Sequence, residues 1–133
     1  MLEASDAKGP RILVVDDDPD ICETLRLILE DHGYLATTAA NGEQALRYLR
    51  SGAPLPKLIL LDLMMPLMNG WEFRGAQKKD PALAPIPVVV ITASGAARER
   101  VGLLGVRDFL LKPIVLERLL ETLASATAPP SRA

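Results

Sequence analysis

The sequence predicts an α/β fold, a three-layer doubly wound (βα)5 sandwich around a parallel five-stranded sheet. Short β-branched or leucine-rich runs alternate along the 133 residues with stretches whose apolar positions recur at helical spacing, the pattern of successive βαβ units. Four of those runs stop on a polar group that a buried strand has no reason to keep. They are Ile12–Val15 into Asp16 and Asp17, Leu58–Leu61 into Asp62, Val88–Ile91 into Thr92, and Phe109–Leu111 into Lys112. In an open parallel sheet, ligands bind in the crevice beyond the carboxyl ends of the strands. The four endings therefore point to one site.

Arg11–Val15 is short and apolar, suited to a strand covered on both faces. Asp18-Pro19 then supplies a helix N-cap with proline at the first helical position. Ile21, Leu25, Ile28 and Leu29 repeat at helical spacing until Gly33 stops the helix. Tyr34–Ala39 is a second, less apolar strand, expected near an edge. Asn41-Gly42 opens a helix carrying Ala45, Leu46 and Leu49, which closes at Gly52 and Pro54.

Lys57–Leu61 forms the third strand, and Asn69-Gly70 starts a weaker third helix running to Lys79. Pro81, Pro85 and Pro87 punctuate a loop into the fourth strand, Val88–Ile91. The fifth strand covers about Val106–Leu111. The last helix, from about Val115 to Ser125, carries Leu116, Leu119, Leu120 and Leu123 on one face. Residues 1–10 read as a flexible leader, 11–125 as one domain, and 126–133, with two prolines and no apolar periodicity, as a disordered tail. Right-handed crossovers leave few topologies, of which the flavodoxin-like strand order 2-1-3-4-5 is expected.

Bulk composition excludes several functions. With a net charge of −2 and 24% charged residues, the chain is not basic enough to bind nucleic acid by neutralising phosphates. Cys22 is the only cysteine, which rules out an internal disulfide and fits a reducing compartment. No apolar run approaches the roughly 18–20 residues of a membrane span. Met1–Pro10 also lacks the apolar core of a signal peptide. A cytoplasmic protein is expected, with neither nucleic acid nor membrane among its partners.

Asp62 interrupts the apolar stretch Leu58–Met68, where a charge is costly unless solvated or paired. Asp18 is explained as a helix cap, which leaves Asp16 and Asp17 without a local reason. Two carboxylates about 5 Å apart at an effective dielectric of 20 repel by roughly 3 kcal/mol, so such a cluster needs a cation or a raised pKa. Hard oxygen donors without nearby histidine or cysteine suit Mg²⁺, with Mn²⁺ as the other possibility. Lys112 and Thr92 could then hold the oxygens of a phosphoryl group, and a carboxylate can itself be the nucleophile that receives it.

These residues resemble a family, the receiver (CheY-like) domain of two-component response regulators. The matching pieces are Val14-Val15-Asp16-Asp17, Leu60-Leu61-Asp62-Leu63-Met64-Met65-Pro66 with Asn69-Gly70, Val90-Ile91-Thr92-Ala93, and Phe109-Leu110-Leu111-Lys112-Pro113, spread over about Arg11 to Ser125. The resemblance implies that Asp62 accepts a phosphoryl group from a sensor histidine kinase or a phosphotransfer protein. It implies Mg²⁺ held by Asp17, Asp62 and the backbone carbonyl of Met64, with Asp16 acting through a metal-bound water. Thr92 and Lys112 would contact the phosphoryl oxygens, Thr92 and Phe109 would form the switch, and the Lys112–Pro113 peptide would be cis. Phe109 has no hydroxyl, so a switch that relies on a tyrosine hydroxyl is excluded. A stand-alone receiver of this kind would signal by phosphorylation-dependent binding to a downstream protein.

The chain departs from the family between Thr92 and Lys112, a segment about two residues shorter than usual. Gly95, Gly102 and Gly105 lie in it, each costing a helix about 1 kcal/mol relative to alanine. A short, displaced or mobile fourth helix is therefore expected, with either a remodelled output surface or an ordinary loop as the consequence. Met64, two residues after Asp62, carries a thioether that cannot orient an attacking water, which predicts slow loss of the phosphoryl group. Ser94, two residues after Thr92, has no legible effect. His32 reads as a helix-terminal group rather than a phosphorelay histidine, and Cys22 as packing.

Two rival functions remain. In an aspartate-nucleophile phosphatase, Asp16 and Asp18 would form the Asp-x-Asp pair, with Thr92 and Lys112 assisting. That reading leaves Asp62 unexplained in a chain short for such an enzyme. The other is a receiver-like interaction module that is never phosphorylated.

Overall fold

Successive residues of the central strands face opposite sides of the sheet, and both sides are covered. In this computed structural model, residues 9–65, 67–93, 102 and 105–127 are described. The elements are β1 (Arg11–Val15), α1 (Pro19–Asp31), β2 (Leu35–Ala39), α2 (Gly42–Leu49), β3 (Leu58–Asp62), α3 (Gly70–Lys79), β4 (Val88–Thr92), β5 (Asp108–Leu111) and α4 (Leu116–Thr127). All pairings are parallel and the order is β2-β1-β3-β4-β5. The doubly wound topology expected from the sequence is the one observed.

The period-2 alternation builds two cores. Leu13, Val15, Ile59, Leu61, Val88 and Val90 meet α2 and α3 through Ala45, Leu46, Leu49 and Phe73. Ile12, Val14, Leu58, Leu60, Val89 and Ile91 meet α1 and α4 through Leu25, Leu29, Leu119 and Leu123. These side chains are essentially fully buried, and truncating one of the larger ones to alanine typically costs about 2–5 kcal/mol.

The predicted Asp18 cap forms, and Asn41 and Asn69, read from the sequence as helix openings, are caps as well. Asp18 accepts from the backbone N–H groups of Asp20 and Ile21, and Asn41 from that of Gln44. Asn69 completes a capping box, in which it accepts from Glu72 N–H while Glu72 Oε1 accepts from Asn69 N–H. Each cap contributes about 1 kcal/mol.

The element ends differ from the sequence reading in small ways. β3 and β4 each continue one residue, so Asp62 and Thr92 are the last residues of their strands. β5 begins at Asp108 rather than Val106, because Gly105 turns the chain with φ +66° just ahead of it. Pro10 is held at the sheet, its carbonyl accepting from Leu35 N–H at 2.9 Å. α4 reaches Thr127, whose hydroxyl donates to Leu123 O, so Ala126 and Thr127 belong to the helix and not to a tail. The expected fourth helix of five, Ser94 included, falls on residues outside the described set, as do Pro66 and the remaining residues of both termini.

Candidate functional site

Strand register brings the polar ends together. Val15 pairs with Leu61, so Asp16 follows β1 beside Asp62 of β3. Asp62 pairs with Ile91, so Thr92 lies one residue further, and Thr92 pairs with Leu111, so Lys112 lies one further again. From β1 the chain winds one way to β2 and the other way to β3. The crevice at that switch point is where such sheets bind ligands.

Asp16, Asp17 and Asp62 each offer a carboxylate oxygen within 4.8 Å of the others. Asp16 and Asp62 are buried, while Asp17 is exposed. Lys112 Nζ lies 3.0 Å from Asp16 Oδ2 and 3.7 Å from Asp62 Oδ2. Asp16 Oδ1 accepts from Asp18 N–H at 2.9 Å, and Asp62 Oδ1 from Met64 N–H at 3.2 Å. Thr92 is buried at the end of β4, where its carbonyl accepts from Lys112 N–H at 2.8 Å. The Met64 side chain is 72% exposed, and Phe109 is half-buried against the core on the α2–α3 side. The Lys112–Pro113 peptide is cis.

The charges do not balance. Burial, together with the fields of Asp16 and Asp17, raises the Asp62 carboxyl to about 6, against the pull of Met64 N–H and Lys112. Burial pushes Lys112 down, but its bond to Asp16 and the fields of Asp62, Asp16 and Asp17 outweigh this and raise it. Among the described residues Lys112 pairs with Asp16 and Asp62 but not with Asp17, and the residual negative charge suits a divalent cation. The donors are all carboxylates with no histidine or thiol among them, which fits Mg²⁺.

Two glycines let the surrounding loops close on this crevice. A Cβ on Gly70 would lie 2.6 Å from Asp62 O and 2.7 Å from Leu63 Cα. The first turn of α3 therefore rests on the backbone of the Asp62 strand end, where Gly70 N–H donates to Leu63 O. Gly42 does the same for Met68, donating to its carbonyl, and a Cβ there would clash with the Met68 side chain and carbonyl. Between these anchors Leu67 has φ +67° and is 76% exposed. A branched side chain rarely adopts that backbone conformation.

Sequence reasoning assigned Lys112 to phosphoryl oxygens and missed its contact with Asp16. It also missed a buried polar group behind the site. Arg74 on α3 is 7% exposed, donating to Gln77 Oε1 at 2.7 Å and to Gly105 O at 2.9 Å. Gln77 in turn donates to Leu83 O and Ile86 O. The spacing of Phe73 and Gln77 with Arg74 on one face was the available signal.

The family model for the response regulator receiver domain matches residues 12–124. The chain belongs to that family. Its members are phosphorylated on an aspartate in two-component signalling. Protein PilH of Pseudomonas aeruginosa is 34% identical over 89% of this chain and 98% of its own. Among solved structures, chemotaxis protein CheY4 of Vibrio cholerae superposes with a TM-score of 0.80 at 30% identity, covering 90% of this chain and 99% of its own. Response regulator TrrA of Thermotoga maritima, solved in complex with Mg²⁺-BeF, gives 0.78 at 32% identity over 88% of this chain and 98% of its own. The acidic crevice formed by Asp16, Asp17 and Asp62 fits that chemistry. Among the described residues no helix is long and apolar enough to cross a membrane.

Proposed function

We infer that this receiver takes its phosphoryl group on Asp62, from a histidine kinase or a phosphotransfer protein, and signals through a downstream protein in the cytoplasm. The observation that carries the reading is the Asp62 carboxylate, buried at the end of β3 with Lys112 at 3.7 Å and Asp16 and Asp17 beside it. An oxygen of Asp62 forms a bond to phosphorus as the bond to the donor's imidazole nitrogen breaks. The imidazole leaves with that electron pair and takes up a proton. Little acid–base work is asked of the protein, so positioning and charge stabilisation dominate.

Asp17, Asp62 and the Met64 carbonyl would hold Mg²⁺, with Asp16 acting through a bound water. Mn²⁺ could replace it in the same donors. The ion supplies the positive charge that neutralises phosphoryl oxygens. Lys112 moves from Asp16 toward those oxygens and Thr92 donates its hydroxyl to one of them. The movement of Thr92 frees space into which Phe109 turns, and the changed surface around β5 binds the target. The receiver contributes to its own phosphorylation and dephosphorylation, but its product is a conformational state.

The aspartate-phosphatase alternative is not favoured. Asp16 has one oxygen on Lys112 and the other on Asp18 N–H, while Asp18 is spent capping α1. Intact-protein mass after incubation with acetyl phosphate tests the proposal. One phosphoryl group is expected on the wild type in Mg²⁺, little in EDTA, and little on Lys112→Met. Full labelling in EDTA, or in the methionine variant, contradicts the assigned roles.

A further inference from the structure

The helix behind the acceptor aspartate also reaches the turn that leads into the strand carrying Phe109. α3 rests on the Asp62 carbonyl through Gly70. One turn further along, Arg74 turns inward and its guanidinium donates to Gly105 O. Gly105 is in the left-handed conformation, φ +66°, at the point where the connection from β4 turns into β5. Past that turn Arg107 N–H donates to Val88 O, and Phe109 pairs with Val90.

We propose that Arg74 is a positioning residue, whose clamp on Gly105 fixes the pivot about which β5 responds to the phosphorylation state of Asp62. A planar guanidinium can hold Gln77 Oε1 and Gly105 O at once, which a single ammonium does less well. Burial also lowers the Arg74 pKa, the mark of a desolvated cation, and bonds from such a group to a carbonyl are stronger than neutral ones. Without the clamp, the turn at Gly105 is free to shift in either state. The environment of Phe109 then no longer tracks Thr92.

The proposal rests on phosphorylation of Asp62, so the test measures both. Wild type, Arg74→Met and Arg74→Lys are labelled with acetyl phosphate and Mg²⁺, and label uptake is read by intact mass. Hydrogen exchange of peptides covering Gly105 to Leu111 is then compared with and without label. Arg74→Met is expected to take up label as wild type does, while its label-dependent change in protection falls by about threefold or more. Arg74→Lys should lie between the two. A wild-type-sized change in labelled Arg74→Met overturns the proposal. If the methionine variant does not fold, the lysine variant decides, and a wild-type-sized change there overturns it. Absence of label on the wild type instead refutes the role given to Asp62.

Discussion

Replacing Asp62 by asparagine should make the metal-free protein more stable at neutral pH. The cause is the position of the carboxylate, which is buried, faces Asp16 and Asp17, and is only partly offset by Met64 N–H and Lys112. Its pKa rises from the ordinary carboxylate value of 3.8 to about 6. At about 1.4 kcal/mol per unit, the ionised side chain costs the fold at most about 3 kcal/mol. Asparagine keeps an oxygen for Met64 N–H and removes the charge. With some relaxation and hydration of the crevice in the wild type, a gain of about 2 kcal/mol is expected, or roughly 6–10 °C in melting temperature for a chain of this size.

The sign also fixes the pH dependence. An acid whose pKa is raised by folding holds its proton more firmly in the folded state, so stability falls as pH rises from about 4 to about 6. The variant lacks this loss. Urea denaturation in EDTA at pH 7.5 should therefore favour Asp62→Asn, with the advantage shrinking toward pH 4. A variant less stable than wild type at pH 7.5, or an advantage independent of pH, would refute the reasoning.

Other consequences concern the loops that frame the crevice. Gly70→Ala places a methyl group 2.6 Å from Asp62 O. It should cost about 1–3 kcal/mol in denaturation experiments and slow labelling by acetyl phosphate, whereas unchanged behaviour would mean that α3 does not rest on Asp62 as described. Leu67 at φ +67° should gain about 0.5 kcal/mol as Leu67→Gly and lose more than about 1 kcal/mol as Leu67→Val, measured the same way. Met64 projects into solvent beside Asp62 without an amide to orient water. The phosphoryl group should persist for minutes or longer by phosphate release and turn over faster in Met64→Gln; a lifetime of seconds in the wild type would contradict this.

Much of the fold was legible because each strand run ends where a cap or turn begins. Asp18, Asn41 and Asn69 marked the helix starts, and Gly33 with φ +90° marked a stop. The site was legible for a related reason. In a parallel sheet of known order, the residues after each apolar run must meet at one edge, so Asp16, Asp62, Thr92 and Lys112 converge by register alone.

Pairings that join distant segments through side chains were not legible. Nothing local says that Lys112 reaches Asp16 before Asp62. By composition an arginine amid glutamine and lysines on a weakly apolar helix reads as solvated. The spacing of Arg74 from Phe73 and Gln77 marks the buried face, but not the Gly105 carbonyl, from another part of the chain, that receives it. The start of β5 was misplaced by two residues, since the left-handed turn at Gly105 delays the strand to Asp108 although Val106 reads as apolar.

The most direct measurement is where the phosphoryl group goes. Wild type, Asp62→Asn and Asp16→Asn are incubated with Mg²⁺ and acetyl phosphate, and intact masses are compared. One phosphoryl group on the wild type that is lost in Asp62→Asn is the predicted result. Labelling that survives Asp62→Asn and disappears in Asp16→Asn would move the nucleophile to β1 and contradict the account.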